Sequence, residues 1–263
     1  MKRRSWTLPT IGFAMVLAAL PAFAQISLGT TQSFAVLGGS TVTNTGPSTI
    51  TGNLGVSPGS SVTGFPPGIV AGGTIHAGDA TAAQAQNDLT TAYNTAAGIP
   101  CGVDLTGQNL GGLTLTPNVY CFTTSAALTG TLTLNLQGNP NAFFLFKIGS
   151  TLTTASASSV VLTNTGGASC PSNLFWQVGS SATLGTGSSF GGNILALSSI
   201  TVTTGAGLTG RALARNGAVT LDTNSVNSST CTSPVPALGI GGLLALIVFL
   251  AGAGFIIMNK MSG

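Results

Sequence analysis

Threonine alternates with hydrophobic residues in five short segments of the second half of the chain. The segments are residues 130–134, 150–154, 182–186, 200–204 and 219–223, and their threonines are Thr131, Thr133, Thr151, Thr153, Thr154, Thr183, Thr186, Thr201, Thr203, Thr204, Thr220 and Thr223. Alternation with a period of two is typical of a β-strand with one solvent-facing side and one buried side. Because threonine is β-branched and favours strands, the pattern predicts a series of strands with threonine on their outer side.

The spacing of these segments predicts a repeating architecture. Their leading threonines follow one another at intervals of 20, 32, 18 and 19 residues. A repeat of this length accommodates three strands of about six residues each, which is the pattern of a β-solenoid whose coils bury their core by stacking. The interval of 32 residues contains Cys170 and Pro171 and is interpreted as one coil with an inserted loop. The predicted fold class is therefore mainly β, a three-faced (triangular) β-solenoid.

The two other segments of each repeat differ from the alternating one. One is small and polar, at residues 154–157, 186–189, 204–207 and 223–226. The other is apolar throughout, at residues 143–148, 174–178, 194–197 and 212–214. A strand without alternation is usually buried on both sides. Another element must therefore cover the outer side of this third face.

A helix is the predicted cover. Residues 79–97 form the long helical pattern of the chain, with Asp79 as the N-cap and Gly98 as the residue that follows the helix. Leu89 and Tyr93 belong to an apolar stripe at helical spacing. We expect this helix to lie along the third face. Before it, the pattern of alternating threonines recurs at residues 41–43 and 49–51.

Both ends of the chain have the pattern of targeting segments. Basic residues 2–4, an apolar run at 11–20 and Ala22-Phe23-Ala24 are typical of a secretory signal peptide of residues 1–24 that is cleaved after Ala24. At the other end, residues 237–258 are 22 uncharged, apolar residues. At ~1.5 Å per residue a helix of this length spans roughly 33 Å, enough to cross a bilayer. One domain, residues 25–232, remains between them.

The last segment, residues 233–263, allows two interpretations. A short proline motif at 235–239, an apolar helix and a terminal base resemble bacterial C-terminal sorting signals of the exosortase type, in their IPTL-like variant. The sequence departs from that pattern because it has a single base, Lys260, in place of an arginine cluster. Either a sortase-like enzyme processes this tail or the tail is a plain membrane anchor. Both interpretations predict an exported domain held at the membrane or cell surface.

Four cysteines fall in the predicted exported domain. An even number in an exported chain predicts two disulfides, and four cysteines allow three pairings. Sequence proximity favours Cys101–Cys121 and Cys170–Cys231. A metal site is not predicted, because there is no C-x-x-C motif and the single histidine, His76, has no partner at zinc spacing.

Composition and charge exclude several classes of protein. Only 4% of residues are charged, against about 25% in average domains. Nucleic-acid binding requires clustered Lys and Arg, and disorder requires low hydrophobicity, whereas 43% of this chain is hydrophobic. The targeting ends contain four of the seven basic residues, Lys2, Arg3, Arg4 and Lys260. The body retains three bases and four aspartates, a net charge of −1.

The sequence contains no recognisable catalytic centre. There is no G-x-S-x-G nucleophile elbow, P-loop or dinucleotide-binding motif. The aspartates are too scattered for a calcium loop. We expect no enzyme activity, no cofactor and no resident metal.

Several longer motifs carry a resemblance to a known family. They are residues 34–39 (FAVLGG), 53–59 (NLGVSPG), 64–68 (GFPPG), 75–79 (IHAGD), 115–120 (LTPNVY), 175–179 (FWQVG), 181–185 (SATLG) and 210–221 (GRALARNGAVTL). From about Leu28 to Val226 the chain resembles the bacterial and fungal ice-binding proteins. The resemblance implies a triangular solenoid with a long helix alongside, capped at one end, with coils stacked in an order different from the sequence. It also implies that ice, or water ordered like ice, is the partner.

Two sets of residues are candidates for an ice-binding face. A flat array of threonines presents hydroxyl and methyl groups on stiff side chains, which suits ordered water. The family's Thr-Ala/Gly-x-Thr/Asn motif best matches the small polar segments, although their fourth residues depart from it; this set is Thr154, Ser156, Thr186, Ser188, Thr204 and Thr223. The alternating segments supply Thr131, Thr133, Thr151, Thr153, Thr183, Thr201, Thr203 and Thr220. The alternative function is a non-ice adhesin or structural surface module, in which the threonines are ordinary outward-facing strand residues.

Overall fold

The computed structural model describes residues 26–167 and 172–228. The predicted signal peptide, Cys170, Cys231 and the predicted anchor at 237–258 lie outside the described residues. Within the described residues, no helix is long and apolar enough to cross a membrane.

The described residues form short strands and one long helix. In chain order the elements are β1 (Phe34–Gly38), β2 (Thr41–Thr45), β3 (Thr49–Thr51), β4 (Asn53–Val56), β5 (Ser61–Thr63), β6 (Ile69–Ala71), β7 (Ile75–Ala77), α1 (Ala80–Gly98), β8 (Val103–Asp104), β9 (Thr114–Leu115), β10 (Asn118–Phe122), β11 (Ala126–Leu128), β12 (Thr131–Asn135), β13 (Phe144–Ile148), β14 (Leu152–Thr154), β15 (Ser159–Thr163), β16 (Leu174–Val178), β17 (Ala182–Leu184), β18 (Ser189–Ala196), β19 (Ile200–Val202), β20 (Gly207–Ala214), β21 (Val219–Asp222) and β22 (Ser225–Asn227). A short 3-10 helix, Gly29–Ser33, precedes β1.

Parallel pairing arranges these strands into three faces. The ladder face consists, in spatial order, of β11, β14, β17, β19, β21, β2 and β5. The second face runs through β9, β12, β15, the first part of β18 and of β20, β22, β3 and β6. The helix face runs through β8, β10, β13, β16, the last part of β18 and of β20, β1, β4 and β7. The predicted mainly β, three-faced solenoid is confirmed.

Two long strands bend from the second face into the helix face. β18 and β20 turn this corner at Gly192 and Gly210, which pair with each other and have φ angles of 103° and 148°. A Cβ atom on Gly210 would collide with the carbonyl oxygen of Gly192. Glycine is therefore required here, because only a residue without Cβ allows the coils to stack through such a corner.

The coils do not stack in sequence order. β1, β2 and β3, which form the first coil, pair with β20, β21 and β22, which form the last. The next N-terminal strands, β4, β5 and β6, stack outside them. The non-sequential order implied by the family resemblance is thus present, and it brings threonines from the two ends of the chain into contact.

The interior of the solenoid is filled by stacked apolar side chains. Tyr120, Phe146 and Trp176 occupy matching positions on three neighbouring strands. The ring centroids of Phe146 and Trp176 are 4.1 Å apart, and Phe190 packs 4.8 Å from Trp176. The indole N–H of Trp176 donates to the carbonyl oxygen of Gly191 at 2.9 Å. These contacts fix the coil spacing from inside.

The helix lies along the helix face, as predicted. Its apolar side, with Leu89 at its centre, forms a second core with the outward-facing residues Phe34, Leu37, Val119, Leu145, Phe175, Leu195 and Leu213. Asp79 is the N-cap and accepts from the Ala82 N–H at 2.8 Å. The prediction that Gly98 follows the helix is wrong: Gly98 is its last residue and Ile99 is the C-cap. The reason is Pro100, which forces the residue before it into an extended conformation.

A disulfide joins the end of the helix to the helix face. The predicted pair Cys101–Cys121 is present, with a sequence separation of 20 residues. Closing a loop of this size restricts the unfolded chain and stabilises the fold by about 3 kcal/mol.

Replacing both Cys101 and Cys121 by serine is expected to lower the free energy of unfolding by that amount in urea titrations. An unchanged unfolding midpoint and slope in the double variant would contradict this role.

The middle of the helix is fixed to the 3-10 helix by Asp88. The hydroxyl and the backbone N–H of Thr30 both donate to Asp88 Oδ2 at 2.7 Å. These two hydrogen bonds hold the pKa of Asp88 below its usual value of 3.8, and the bond from the Thr30 hydroxyl has the larger effect. A lowered folded-state pKa means that the contact stabilises fully above the unfolded pKa and is lost as the pH falls through the folded pKa.

Acid is therefore expected to loosen the contact between the middle of the helix and the 3-10 helix. The melting temperature should be nearly constant from neutral pH down to about pH 5 and should fall below about pH 4. In Asp88→Asn the neutral-pH melting temperature should be lower and the acid fall shallower. The fall should not vanish, because hydrogen bonds from Ala82 and His76 also lower the pKa of Asp79. Parallel melting curves against pH for the two proteins would contradict this assignment.

Candidate functional site

An unbroken column of threonines runs across the ladder face. Each member pairs in register with the next, and each is exposed or half-buried; in spatial order they are Thr153, Thr183, Thr201, Thr220, Thr43 and Thr63, with Ala127 beyond Thr153. Neighbouring strands of a sheet are about 4.8 Å apart. Six hydroxyl and methyl groups therefore repeat at one spacing along the solenoid axis.

A second column of small residues, all serine or threonine except Ala218, flanks the first. It lies two positions earlier on each strand and consists of Ser125, Thr151, Ser181, Ser199, Ala218, Thr41 and Ser61. The Thr151 hydroxyl donates to the Ser125 hydroxyl across the strands at 2.9 Å. Alternate residues of a strand are about 6.6 Å apart. The two columns together form a two-dimensional array of hydroxyls and methyls.

The array rests on a largely buried layer. Between the columns, and on the far side of the threonine column, the inward residues of β11, β14, β17, β19, β21 and β2 have exposed fractions of 2% or less, apart from the polar Thr154 and Asn44; the apolar members are Ala126, Leu128, Leu152, Ala182, Leu184, Ile200, Val202, Val219, Leu221 and Val42. In the end strand β5, the inward residue Val62 is only partly buried. Close-packed interiors resist deformation. Because the outward threonines are also stiff at χ1, the array holds its spacing without a bound partner.

Two members of the small polar set are not on the surface. Thr154 pairs with Leu128, so it points inward; its exposed fraction is 3% and its hydroxyl accepts from the Gly185 N–H. Ser188 is 2% exposed, and its buried hydroxyl has no hydrogen-bond partner within the described residues. Their predicted surface roles are wrong. The buried position of Thr154 follows from strand geometry. Successive residues of a strand face opposite sides, so of the two successive threonines in β14 only Thr153 faces outward.

The other members of that set lie on the turns that border the ladder face. Ser156, Thr186 and Thr204 are exposed, and backbone hydrogen bonds from Ala157 to Thr186 and from Gly187 to Thr204 align them between coils. The line does not continue to Thr223. Gly205 bonds the carbonyl of Asp222, and Thr223 has a φ of 55° in the left-handed region. Thr203, half-buried beside this border, donates its hydroxyl to the Leu184 carbonyl.

Thr131 and Thr133 belong to a different face from the other alternating threonines. β12 pairs with β9 and β15, so both lie on the second face, opposite Ser159 and Val161 respectively. β11 supplies the ladder face at that coil. The prediction that they share a face with Thr151 is wrong. Alternation identifies a strand with one solvent-exposed side, but it does not identify the face of the solenoid to which that strand belongs.

The second face is less regular than the ladder face. Its two outward columns mix threonine with glycine, serine, asparagine and apolar residues: Thr131, Ser159, Ser189, Gly207, Ser225, Thr49 and Ile69, and then Thr133, Val161, Gly191, Thr209, Asn227, Thr51 and Ala71. Val161 and Ile69 are 42% and 56% exposed. Hydroxyl and methyl groups therefore do not repeat at one spacing here.

The ladder face and the second face, which are both exposed to solvent, contain almost no charged side chains. Among the described residues of the ladder and second faces, Asp222 is the one ionisable side chain, and it lies at the border next to Thr45. The hydroxyls of Thr204 and Thr223 donate to its two carboxylate oxygens. The described residues also contain no group of three side chains that could hold a metal ion.

Comparison with known proteins agrees with this geometry. A sequence model described as ice-binding-like matches residues 36–227. An ice-binding protein of Nostoc sp. (strain HG1) is 64% identical over 208 residues, which are 79% of this chain and 76% of the relative. Ice-binding protein 1 of Shewanella frigidimarina (strain NCIMB 400) is 36% identical over 77% of this chain, but the match spans only 26% of that longer relative.

Solved structures show the same fold. An ice binding protein from an Antarctic biological consortium superposes with a TM-score of 0.73 at 50% identity, over 77% of this chain and 90% of that one. An ice-binding protein from the Antarctic ascomycete Antarctomyces psychrotrophicus also gives 0.73, at 40% identity, over 78% of this chain and 98% of that one.

Proposed function

Because this chain belongs to the ice-binding-like family, we propose that it binds ice and does so through the ladder face. The relatives named above are ice-binding proteins, and the same solenoid and helix are present here. The observation that supports the choice of face is the column of six threonines in continuous register. The second face has no comparable column.

The ladder face suits a crystalline partner for a physical reason. Ice presents the same groups at a fixed repeat, so a surface with fixed repeats of its own can match it at many points at once. Threonine hydroxyls bond to water while their methyl groups limit its disorder. A strongly hydrated ion within the array would disturb that layer, and the central columns contain none. Preorganisation of the array keeps the entropic cost of binding low.

The experiment is a measurement of freezing behaviour on the fragment of residues 25–232. Thermal hysteresis and inhibition of ice recrystallisation are both expected. Absence of both at high protein concentration would reject ice binding. Ice binding would also distinguish this function from the non-ice adhesin, which predicts a folded but inactive fragment.

We also propose that the protein is exported and held at the cell surface. The support is the sequence of the two ends, residues 1–24 and 237–258. A sortase-like enzyme of the exosortase type is the candidate partner for removal of the tail. Fractionation of the producing cells, with mass measurement of the mature chain, tests the export and shows whether the tail is retained.

The pair Cys170–Cys231 remains a prediction, because both residues lie outside the described residues. The flanking residues Ser172 and Ser228 both lie where the second face ends and the helix face begins. A disulfide there would tie the end of the domain to an earlier coil. Peptide mapping of the exported protein without reduction should yield a linked peptide pair containing both cysteines. Recovery of either residue as a free thiol would contradict the pairing.

A further inference from the structure

The place where the chain leaves the described domain has a defined position in the solenoid. Ser228, the last described residue, follows β22 on the second face and is 4% exposed. Its backbone N–H and its hydroxyl both donate to the Thr51 carbonyl, at 3.1 and 3.0 Å. The exit is therefore fixed to the neighbouring coil by two hydrogen bonds.

This exit lies at the corner between the second face and the helix face. Thr51 is the last residue of β3, and Gly52 makes the turn into β4 of the helix face. A Cβ atom on Gly52 would touch both the Ser228 hydroxyl and, at 3.2 Å, the Cβ of Ala35 in β1. Ser228 thus sits between the end of a second-face strand and the start of a helix-face strand.

The N-terminal end of the described domain lies on the same side of the molecule. Ile26 and Leu28 are buried in the core that the helix forms with the helix face. In a three-faced solenoid the corner between two faces is opposite the third. The C-terminal exit is thus opposite the ladder face, and the N-terminal end is away from it.

We propose that the segment after Ser228 attaches the domain by the corner opposite the ladder face, so that the threonine array points away from the attachment surface. This inference rests on the proposed function and on the proposed anchor. Ice and the cell surface would then lie on opposite sides of one domain. The protein would act as an adhesin that joins a cell to ice.

The dimensions make the choice of corner important. The segment between the domain and the apolar run, residues 229–236, spans at most about 27 Å when fully extended. Each face is roughly 20 Å wide, from five or six residues at ~3.3 Å each. The tether is therefore hardly longer than the domain is thick. A tether leaving from the border of the ladder face would hold the array against the bilayer and limit the approach of ice.

The test measures orientation separately from ice binding. The full chain is reconstituted into phosphatidylcholine vesicles, with a donor dye on a single introduced cysteine and acceptor dyes on the lipid headgroups. Thr201→Cys places the dye on the ladder face, and Thr209→Cys places it on the second face of the same coil, beside the corner glycine Gly210. Energy transfer should be clearly weaker from position 201, because that position is about 15 Å farther from the exit corner.

Two results would overturn the proposal. Equal or stronger transfer from position 201 would show that the ladder face does not point away from the bilayer. A full chain that fails to float with the vesicles would remove the attachment itself. Failure of ice binding has a different signature, since the fragment of residues 25–232 would then lack thermal hysteresis whatever the transfer values. When the domain binds ice and the ladder face points away from the bilayer, vesicles carrying the wild-type chain should be taken up into slowly growing ice. Vesicles carrying Thr201→Tyr should be excluded from it.

Discussion

Thr201→Tyr is expected to reduce thermal hysteresis to less than about a tenth of the wild-type value, because dispersion contacts are largely lost across even a small gap. Thr201 is near the middle of the threonine column, between Thr183 and Thr220. A phenol ring there projects beyond the plane of its neighbours. It would keep ice away from several coils at once, so one substitution should disable most of the array. The measurement is the hysteresis gap as a function of protein concentration.

Thr209→Tyr is the matched control for this experiment. Thr209 is an exposed threonine of the second face, next to Gly191 and Asn227, and it follows Thr201 in the same coil. Tyrosine is accepted in strands at least as well as threonine. Both variants should therefore melt near the wild-type temperature. Loss of hysteresis in Thr209→Tyr with retention in Thr201→Tyr would assign the activity to the second face.

Trp176→Ala is expected to lower the free energy of unfolding by about 4 kcal/mol, the usual cost of removing a large buried aromatic side chain. Trp176 is fully buried, is stacked on Phe146, packs at a tilt against Phe190 and donates a hydrogen bond to the Gly191 carbonyl. The substitution leaves a cavity between three coils and removes that hydrogen bond. The melting temperature should fall by roughly 8–16 °C for a domain of this size.

Val161→Ala is the control for this stability measurement. Val161 lies on the neighbouring second face and is 42% exposed, so its truncation should change the free energy of unfolding by no more than about 0.5 kcal/mol. Equal stability of Trp176→Ala and the wild type in urea would contradict the role of the aromatic stack. The ladder face should lose activity in Trp176→Ala only near its lowered melting temperature.

Much of the fold could be predicted from the sequence because its signals are local. Alternation identified the strands, continuous hydrophobicity identified the helix face, and Asp79 marked the start of the helix. The helix ends one residue later than its pattern predicts, at Gly98, because Pro100 holds Ile99 in an extended conformation. These features depend on residues within a few positions of each other.

The candidate site was harder to predict because it depends on how distant strands meet. Thr43 and Thr63 complete the threonine column, yet they come from the N-terminal coils that stack after β21. The alternating pattern predicts a strand at residues 41–43, but neither the neighbours of that strand nor the role of Thr63 could be predicted from it. The predicted face of Thr131 was wrong for a related reason. Its local pattern resembles that of the ladder-face strands, but its strand pairs with β15 on the second face.

A tyrosine scan with direct measurement of ice adsorption tests the central claim most directly. Fluorescently labelled fragments of residues 25–232 are bound to a growing single crystal of ice, and the adsorbed protein is quantified. Tyrosine is placed singly at Thr153, Thr183, Thr201, Thr220, Thr43 and Thr63, and at Thr131, Thr49 and Thr209 of the second face. If the ladder face binds ice, adsorption falls at every ladder position, most strongly at the central ones, and is unchanged by the second-face substitutions. Undiminished adsorption at Thr201 and Thr220, or a loss confined to the second face, would contradict the assignment.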